Sequence, residues 1–598
     1  MTDFRTAPFR DAEFMPVDLD VDRQDDGTII FKSNIPMPER ETNVARAVFQ
    51  SVENNAGTIA LAQRDGEDDW EVVNYITLGQ RIASLANWLI ENVPAGRAVL
   101  VLAENSIDSA IVKFACYAAR VIHTPVSPAF ALATDYARLS HVAKMTNPAC
   151  VFAPATAPFV KAVETVLADD VAILTDKPEL FSRPATAVHD IYDIAATNAV
   201  QESINRIDPD DVASYMMTSG STGLPKVVQL SMTALAANTA QTIAAIGKAA
   251  GWDDVMLDWL PWHHAAGASV LRSCLVEGGT LYIDAGKPAP GLFDTSIRNL
   301  REISVCYFNN VPSGYAMLVA AMEDDPELRA SFFRKMRLML YGGAGLPQNV
   351  YDRLQEMAVA ETGHRIHMTT GYGMTETVSG CLTIHFPTQT VGIGLPCPDV
   401  TVKLVPTDGR YEVRLHGRNL MNGYLNEPEK NAAVFDEQGF YKTGDLARLI
   451  NPDNLEEGLA FAGRLAEEFK LSNGTWVYGG ELRDSLLKAL SPDIMDLVLC
   501  DANRPYLTMM AWPGPKADAD AGPRIAEKLK AFNANRSGKS ATIQRFALLA
   551  TAPDPSAQEV SDKGSINRRA VIENRGDIVE QLYADTPPAS IFCVDPSK

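Results

Sequence analysis

Residues 218–226 read Thr-Ser-Gly-Ser-Thr-Gly-Leu-Pro-Lys, and what flanks them constrains the fold more than anything else in the chain. Residues 213–217 (Ala-Ser-Tyr-Met-Met) and 227–230 (Val-Val-Gln-Leu) both predict strands, so the loop joins strand to strand. A helical pattern begins only beyond Ser231, a residue suited to an N-cap, and runs from Met232 to about Ala245. Two glycines, four hydroxyls and a lysine in nine residues form a loop whose amides and side chains suit polyphosphate. It is not a Walker loop, which needs Gly-x4-Gly-Lys followed by Ser or Thr at the start of a helix. Here Pro225 holds the place of the second glycine, and Val227 and Val228 follow Lys226. For the loop taken alone, a surface turn rich in Gly, Ser and Thr is the competing reading.

Four further motifs follow in order: Gly-Tyr-Gly-Met-Thr-Glu at 371–376, Tyr-Lys-Thr-Gly-Asp at 441–445, Gly-Arg at 463–464 and Asp-Lys-Gly-Ser-Ile-Asn at 562–567. With the loop, they resemble the core motifs of the adenylate-forming superfamily, which holds acyl- and aryl-CoA synthetases, luciferases and peptide-synthetase adenylation domains. The resemblance covers nearly the whole chain. Five short motifs in one order are far more specific than any one of them.

The length of 598 residues exceeds one ordinary core, so two or more domains are expected. A hydrophobic fraction of 46% with 21% charged residues describes a globular chain. No apolar run approaches the length of a membrane-spanning helix, and the N-terminus lacks the layout of a secretory signal. The eight cysteines are scattered without a CxxC pair, and read as reduced, mostly buried small hydrophobes. A cytoplasmic protein with no membrane partner is expected. A net charge of −22 argues against nucleic acid. It also means that any polyanion site is locally positive, with Lys226, Arg464, Lys470, Lys563, Arg568 and Arg569 as candidates.

Helical and strand patterns alternate from Asn43 onward: helix over 78–93, strand over 98–102, helix over 107–120, then strands near 149–152, 171–174 and 279–283. This predicts an α/β protein of layered sheets. Residues 1–40 are expected to be a surface extension, 513–523 a loop, and the proline-containing tail after Asp585 to be without structure. The resemblance implies a large N-terminal domain over 1–463, with layered β-sheets flanked by helices. It also implies a small, mobile α+β C-terminal domain over 464–598.

The resemblance further implies the chemistry, which needs no protein nucleophile because the substrate carboxylate attacks the α-phosphate of ATP. The requirement is to suppress repulsion between anions and to stabilise the departing pyrophosphate. Thr218, Ser219, Gly220, Ser221, Thr222 and Gly223 would hold the β- and γ-phosphates, with Lys226 adding positive charge. Glu376 would contact Mg2+, and Thr375 would donate to the α-phosphate. Adenine would lie between Tyr372, beside Gly373, and the wall formed by Gly343 and Ala344. Asp445 and Arg464 would hold the ribose. Lys563 matches the family's mobile lysine, which bridges carboxylate and α-phosphate and then withdraws. A rotation of the small domain about 463–468 would present the segment around Lys470 and open a path for coenzyme A.

Pro-Trp-His-His-Ala-Ala-Gly at 261–267 resembles the family's acyl-pocket segment, which places His264 beside the carboxylate. Within the superfamily, 308–315, 341–347 and 561–567 are most similar to feruloyl-CoA synthetases, which activate hydroxycinnamic acids. That implies an aromatic acid as substrate, and a homodimer is compatible with the family. Two departures stand out. Ala266 replaces a phenylalanine usual in that subfamily, which reshapes the pocket. Ala466 stands at the usual hinge position, with Glu467 as the neighbouring alternative. A medium-chain fatty acid as substrate, a stand-alone partner of a carrier protein, a luciferase-like oxidation and a non-catalytic nucleotide sensor remain alternatives. The last would be expected to lack Lys563 or Glu376, and both are present.

Overall fold

The computed structural model describes residues 4–594 except 67–68, 134, 219–223, 290, 343–345, 466–467, 473–475, 501–503, 515–517, 519, 535, 537–541, 555–556, 558 and 561–565; the side chains of residues 65, 470, 476 and 481 are also outside it. The chain divides into two compact units. The first comprises Met1–Val405, Arg414–Lys442 and Leu449–Ala460, and the second Pro406–Val413, Thr443–Arg448 and Phe461–Lys598.

In the first unit an eight-stranded sheet has Val212–Thr218 near its centre, between Ile122–Pro125 and Lys226–Ser231. Its strands from Ile122–Pro125 outward are parallel, and parallel pairs require crossover connections. One such connection is the helix Ile107–Ala118, apolar on nearly every side and buried along most of its length. Such a helix forms inside a layered protein, where both its faces meet other elements. Ser106 starts it with a capping box through Ser109. The pair Val212–Thr218 and Lys226–Ser231 is antiparallel, with Thr218 opposite Lys226. The strand–loop–strand arrangement expected around 218–226 is therefore present.

The helix after it begins at Met232, and the Ser231 hydroxyl accepts from the Ala234 amide. It stays α only to Thr242, and Ile243–Gly247 then widens to a π-helical turn before Lys248–Ala250. A second sheet runs Tyr307–Asn310, Leu338–Tyr341 and His367–Gly373 in parallel, then antiparallel through Gly380–Thr383 to Leu395–Pro396. A third carries Val255–Asp258 and Thr280–Ile283 beside Ile59–Asp65.

The N-terminal segment departs from the expected surface extension. Leu19–Arg23 and Ile29–Ser33 form a hairpin, and the second strand pairs with residues 401–404. Ile29, Phe31 and Ser33 alternate inward, a period-2 signal masked by the charged residues around it. Upstream, the Arg10 guanidinium donates to the carbonyls of Phe333, Arg334 and Met336, and Phe9 stacks on His367.

The second unit holds a sheet in the order Ile494–Cys500, Leu507–Pro513, Ile543–Leu548, Ile591–Cys593, flanked by helices that include Gly479–Leu490 and Ala521–Ala534. The tail after Asp585 is not structureless. Ile591–Cys593 closes the sheet edge against Ile543–Leu548, and Phe592 stacks on Phe546 with ring centroids 5.0 Å apart. Burial of Ile591 and Val594 offsets the ordering cost of that terminal strand. All eight cysteines are free, seven of them buried.

Candidate functional site

The expected phosphate loop leaves the sheet at Thr218 and re-enters at Lys226, two residues held opposite each other by the ladder. Residues 219–223 lie outside the described residues, as do Gly343, Ala344, Lys563 and the alternatives Ala466 and Glu467. The carbonyl of Pro225, just before the lysine, is held by the His141 ring at 3.1 Å.

Lys226 is half-buried, with its Nζ 4.3 Å from the centroid of the Tyr424 ring. Burial lowers the pKa of the ammonium, and the Glu376 carboxylate opposes that shift. The Tyr424 hydroxyl donates to Glu376 Oε1 at 2.7 Å and lies 3.4 Å from the Tyr441 hydroxyl. Burial first, and Glu376 second, push the Tyr424 phenol far above its ordinary range, so it stays a donor. Lys226, Tyr424 and Glu376 thus form one cluster in which an aromatic ring mediates between cation and carboxylate.

Glu376 sits on a single 3₁₀ turn, Thr375–Thr377, and is buried. That turn is fixed from several directions. The Met421 amide donates to the Glu376 carbonyl, Asn419 donates to the Thr377 carbonyl, and the Thr377 hydroxyl accepts from the Met374 amide. It ends at Val378 with φ of 66°, a left-handed conformation that costs a β-branched residue about 1–3 kcal/mol. Before the turn, the strand His367–Gly373 bears the buried Tyr372 and ends on a register shift at Gly373. A Cβ on Gly373 would come 2.0 Å from the Ser379 carbonyl oxygen, so only glycine permits this backbone crossing.

Glu376 Oε2 receives no hydrogen bond from the described residues. One carboxylate oxygen held by a phenol and the other unengaged fit a hard cation that takes most of its ligands from phosphate and water. Among the described residues no cluster of three His, Cys, Asp or Glu side chains could hold a metal by itself.

His264 occupies the N-cap position of the helix Ala265–Glu277, and its ring centroid lies 4.4 Å from that of His263. The segment before it is pinned by Asn105, whose amide donates to the Leu260 carbonyl and accepts from the Trp262 amide. Gly267 lets the helix pass beneath that segment, because a Cβ there would meet the Leu260 carbonyl oxygen at 2.4 Å.

In the second unit Asp445 is buried and pairs with Arg464 through a 2.8 Å Nε–Oδ1 contact. The Asp445 amide donates to the Thr443 hydroxyl, and Gly444 supplies the φ of 72° that the turn needs. Nearby, Arg410 pairs with Glu468, donates to the Ala462 carbonyl and stacks over the Tyr478 ring. Lys470 is on the short strand Phe469–Lys470, and its side chain is outside the described part. Within its unit the structure thus brings Thr218, Lys226 and Glu376 into linked elements, and in the other unit Asp445 onto Arg464. Sequence reasoning missed Tyr424, His141, Asn105 and Arg410. Of these, Tyr424 in Asn-Gly-Tyr-Leu-Asn had a readable cue, a lone aromatic between turn residues.

A family model described as AMP-binding enzyme matches residues 48–425. Long-chain-fatty-acid–CoA ligase 2 of Schizosaccharomyces pombe is 30% identical over 301 residues, 41% of this chain and 42% of its own length. Feruloyl-CoA synthase of an Amycolatopsis species is 28% identical over 288 residues, 46% of this chain and 54% of its own. The chain therefore spans about half the length of these curated relatives. Among solved structures, ATP-bound MatB from Rhodopseudomonas palustris matches with a TM-score of 0.71 at 20% identity, covering 90% of this chain and 100% of that one, which shows the fold.

Proposed function

The chain belongs to the family of AMP-binding enzymes, and from that premise we propose that it is an AMP-forming acid–CoA ligase. In the first step a carboxylate oxygen attacks the α-phosphorus of ATP, and pyrophosphate leaves with the bonding electrons. In the second the coenzyme A thiol, losing its proton, attacks the acyl carbon, and AMP leaves. The observation that carries this reading is the Lys226–Tyr424–Glu376 cluster, set where the loop of 218–226 returns to the sheet.

In this reading Lys226 neutralises phosphate charge, and Tyr424 holds Glu376 Oε1 so that Oε2 faces the phosphates. A Mg2+ ion there supplies further neutralisation of the pyrophosphate. Thr375 donates to the α-phosphate, Tyr372 and Gly373 border the adenine with Gly343 and Ala344, and Asp445 with Arg464 holds the ribose. His264 lies beside the reacting carboxylate, and Lys563 bridges it to the α-phosphate. A C-terminal domain beginning at residue 464 would then turn to admit coenzyme A near Lys470.

For the acid, the similarity to feruloyl-CoA synthase favours an aryl acid of the hydroxycinnamate class. Ala266, half-buried on the first turn after His264, leaves room for a medium-chain aliphatic acid instead. The test follows pyrophosphate and CoA thioester separately in purified protein given ATP, Mg2+, coenzyme A and a panel of aryl and aliphatic acids, with Lys563→Ala as control. Thioester formation abolished in the control is expected. Pyrophosphate without thioester would redirect the second step to another thiol, and silence with ATP bound would overturn the ligase.

A further inference from the structure

The helix Met232–Thr242 follows the strand that receives Lys226, and it is buried along nearly its whole length. Its side chains Asn238, Thr239 and Gln241 are polar and buried, so their partners come from neighbouring elements of the chain. Those partners belong to two parts of the site.

Asn238, 0% exposed, divides its amide between them. Its Nδ2 donates to the Gly380 carbonyl at 2.9 Å, and its Oδ1 accepts from Ser269 Oγ at 3.2 Å and Arg272 Nη2 at 3.1 Å. Gly380 is the ladder partner of Gly373, so this pair closes the loop that carries the Glu376 turn. Three positions further along the helix, on the same face, Gln241 donates to Asn419 Oδ1, and Asn419 donates to the Thr377 carbonyl. The helix thus grips the Glu376 turn at its neck and at its last residue.

Ser269 and Arg272 lie on the helix Ala265–Glu277, which starts directly after His264. Arg272, 1% exposed, also donates through Nε to Thr239 Oγ1 at 2.6 Å and through Nη2 to Ser269 Oγ at 3.3 Å. Lys113, from the helix Ile107–Ala118, donates to the Ala268 carbonyl at 3.0 Å. With His123 these two cations border a void of about 10 Å³, the room of one water, so the cluster serves contacts within the chain. An apolar contact between helices tolerates small slips, whereas a buried amide with three fixed partners admits one register. A partner left unpaired there costs more than the bond itself contributes.

We propose that Asn238 is a positioning residue for adenylation, fixing the helix after His264 against the turn that bears Glu376. It thereby sets how an acid at His264 meets the phosphates at Glu376. The proposal rests on the ligase reading and adds a residue that acts through those two groups. Arg272 is its partner on the acid side and Gly380 its partner on the phosphate side.

The two bonds can be cut separately in the full chain. Asn238→Asp keeps an oxygen for Arg272 but loses the donor to Gly380, whereas Arg272→Met does the reverse. The Kd for ATP is read by calorimetry with and without Mg2+, and kcat and KM for ferulate and octanoate from pyrophosphate release. Asn238→Asp is expected to cut the gain in ATP affinity from Mg2+ by about 10-fold and to leave the acid KM in place. Arg272→Met is expected to keep that gain and to raise the acid KM by about 10-fold. Asn238→Leu, which cuts both bonds, is expected to move both constants and to lower kcat by about 100-fold. A merely structural amide would lower Tm in these variants and move neither constant, and that result would overturn the proposal. Should Asn238→Leu or Arg272→Met fail to fold, Asn238→Asp decides through the Mg2+ gain alone. Silence of the wild type on both acids, with ATP bound, would overturn the ligase reading, while the calorimetric comparison would still decide on Asn238.

Discussion

The Lys226–Tyr424–Glu376 cluster and the Lys113–Arg272–His123 cluster both place charge inside the first unit, but they settle it differently. In the former, a carboxylate, a phenol and an ammonium meet, and the chain supplies both signs. In the latter, two cations meet only carbonyls, hydroxyls and an amide. A third region is the converse of the second. Asp258 and Asp284 are buried close together, and burial with mutual repulsion raises the Asp258 carboxyl well above its usual range. Asp284 is answered by Ser296, Asn299 and the Gly286 amide, whereas the Asp258 carboxyl has only the Leu260 backbone near it among the described residues. Two buried acids can keep a proton and remain neutral at modest cost. At the second cluster burial likewise disfavours the charged form of Lys113, whereas the Arg272 guanidinium stays protonated.

The comparison breaks most visibly at Glu376. Glu376→Gln keeps the shape but removes the charge, and is expected to lower adenylation by on the order of 10²–10³-fold, read as pyrophosphate release. Lys113→Met tests the other cluster. Replacing a buried ion by an apolar side chain of similar volume is expected to stabilise the ligand-free chain by about 1–4 kcal/mol in urea unfolding. Its pH dependence has a definite sign. Burial, with Arg272 nearby, holds the folded Lys113 pKa well below its ordinary value, whereas the unfolded chain stays protonated to about pH 10. Unfolding then takes up a proton, so wild-type stability rises as pH climbs toward 10, a rise the variant lacks.

A smaller effect is expected at Tyr424. Tyr424→Phe keeps the ring under Lys226 but frees Glu376 Oε1, and is expected to cost about 10-fold in pyrophosphate release. The smallest concerns the acid pair. Because the folded Asp258 pKa is raised, unfolding releases a proton above about pH 4, so stability falls as pH rises through the folded value. Asp258→Asn is expected to flatten that fall, by on the order of 1 kcal/mol across the window. A wild type whose stability is flat over the same range would remove the contrast between the acid pair and the cation pair.

Much of the frame was legible because it is local. Strand propensity on both flanks of 218–226 and a serine before Met232 foretell two strands that each extend one residue beyond the expected bounds at either end, and a helix that starts at Met232 but stays α only to Thr242. The two ends of the chain were misread because their strands gain order from distant partners, residues 401–404 for one and 543–548 for the other. Tyr424 belongs to the site only through the fold, which lays Gly423–Tyr424 beside Lys226–Ser231. Lys113 and Arg272 did leave a trace: each is the lone charge in a run of apolar and small residues, 109–119 and 265–276. A solitary charge in such a helix is either solvated by snorkelling or answered by partners inside the fold, and sequence cannot separate the two.

Val378 closes the turn that presents Glu376 and also forms part of the wall of the cationic cavity. One side chain thus belongs both to the turn that carries Glu376 and to the wall that faces Arg272. A change of size there cannot be confined to either room. A substitution at Val378 is therefore felt by the Glu376 turn, whereas one at Ala265 or Ala268, on the helix Ala265–Glu277, meets the same void from another element.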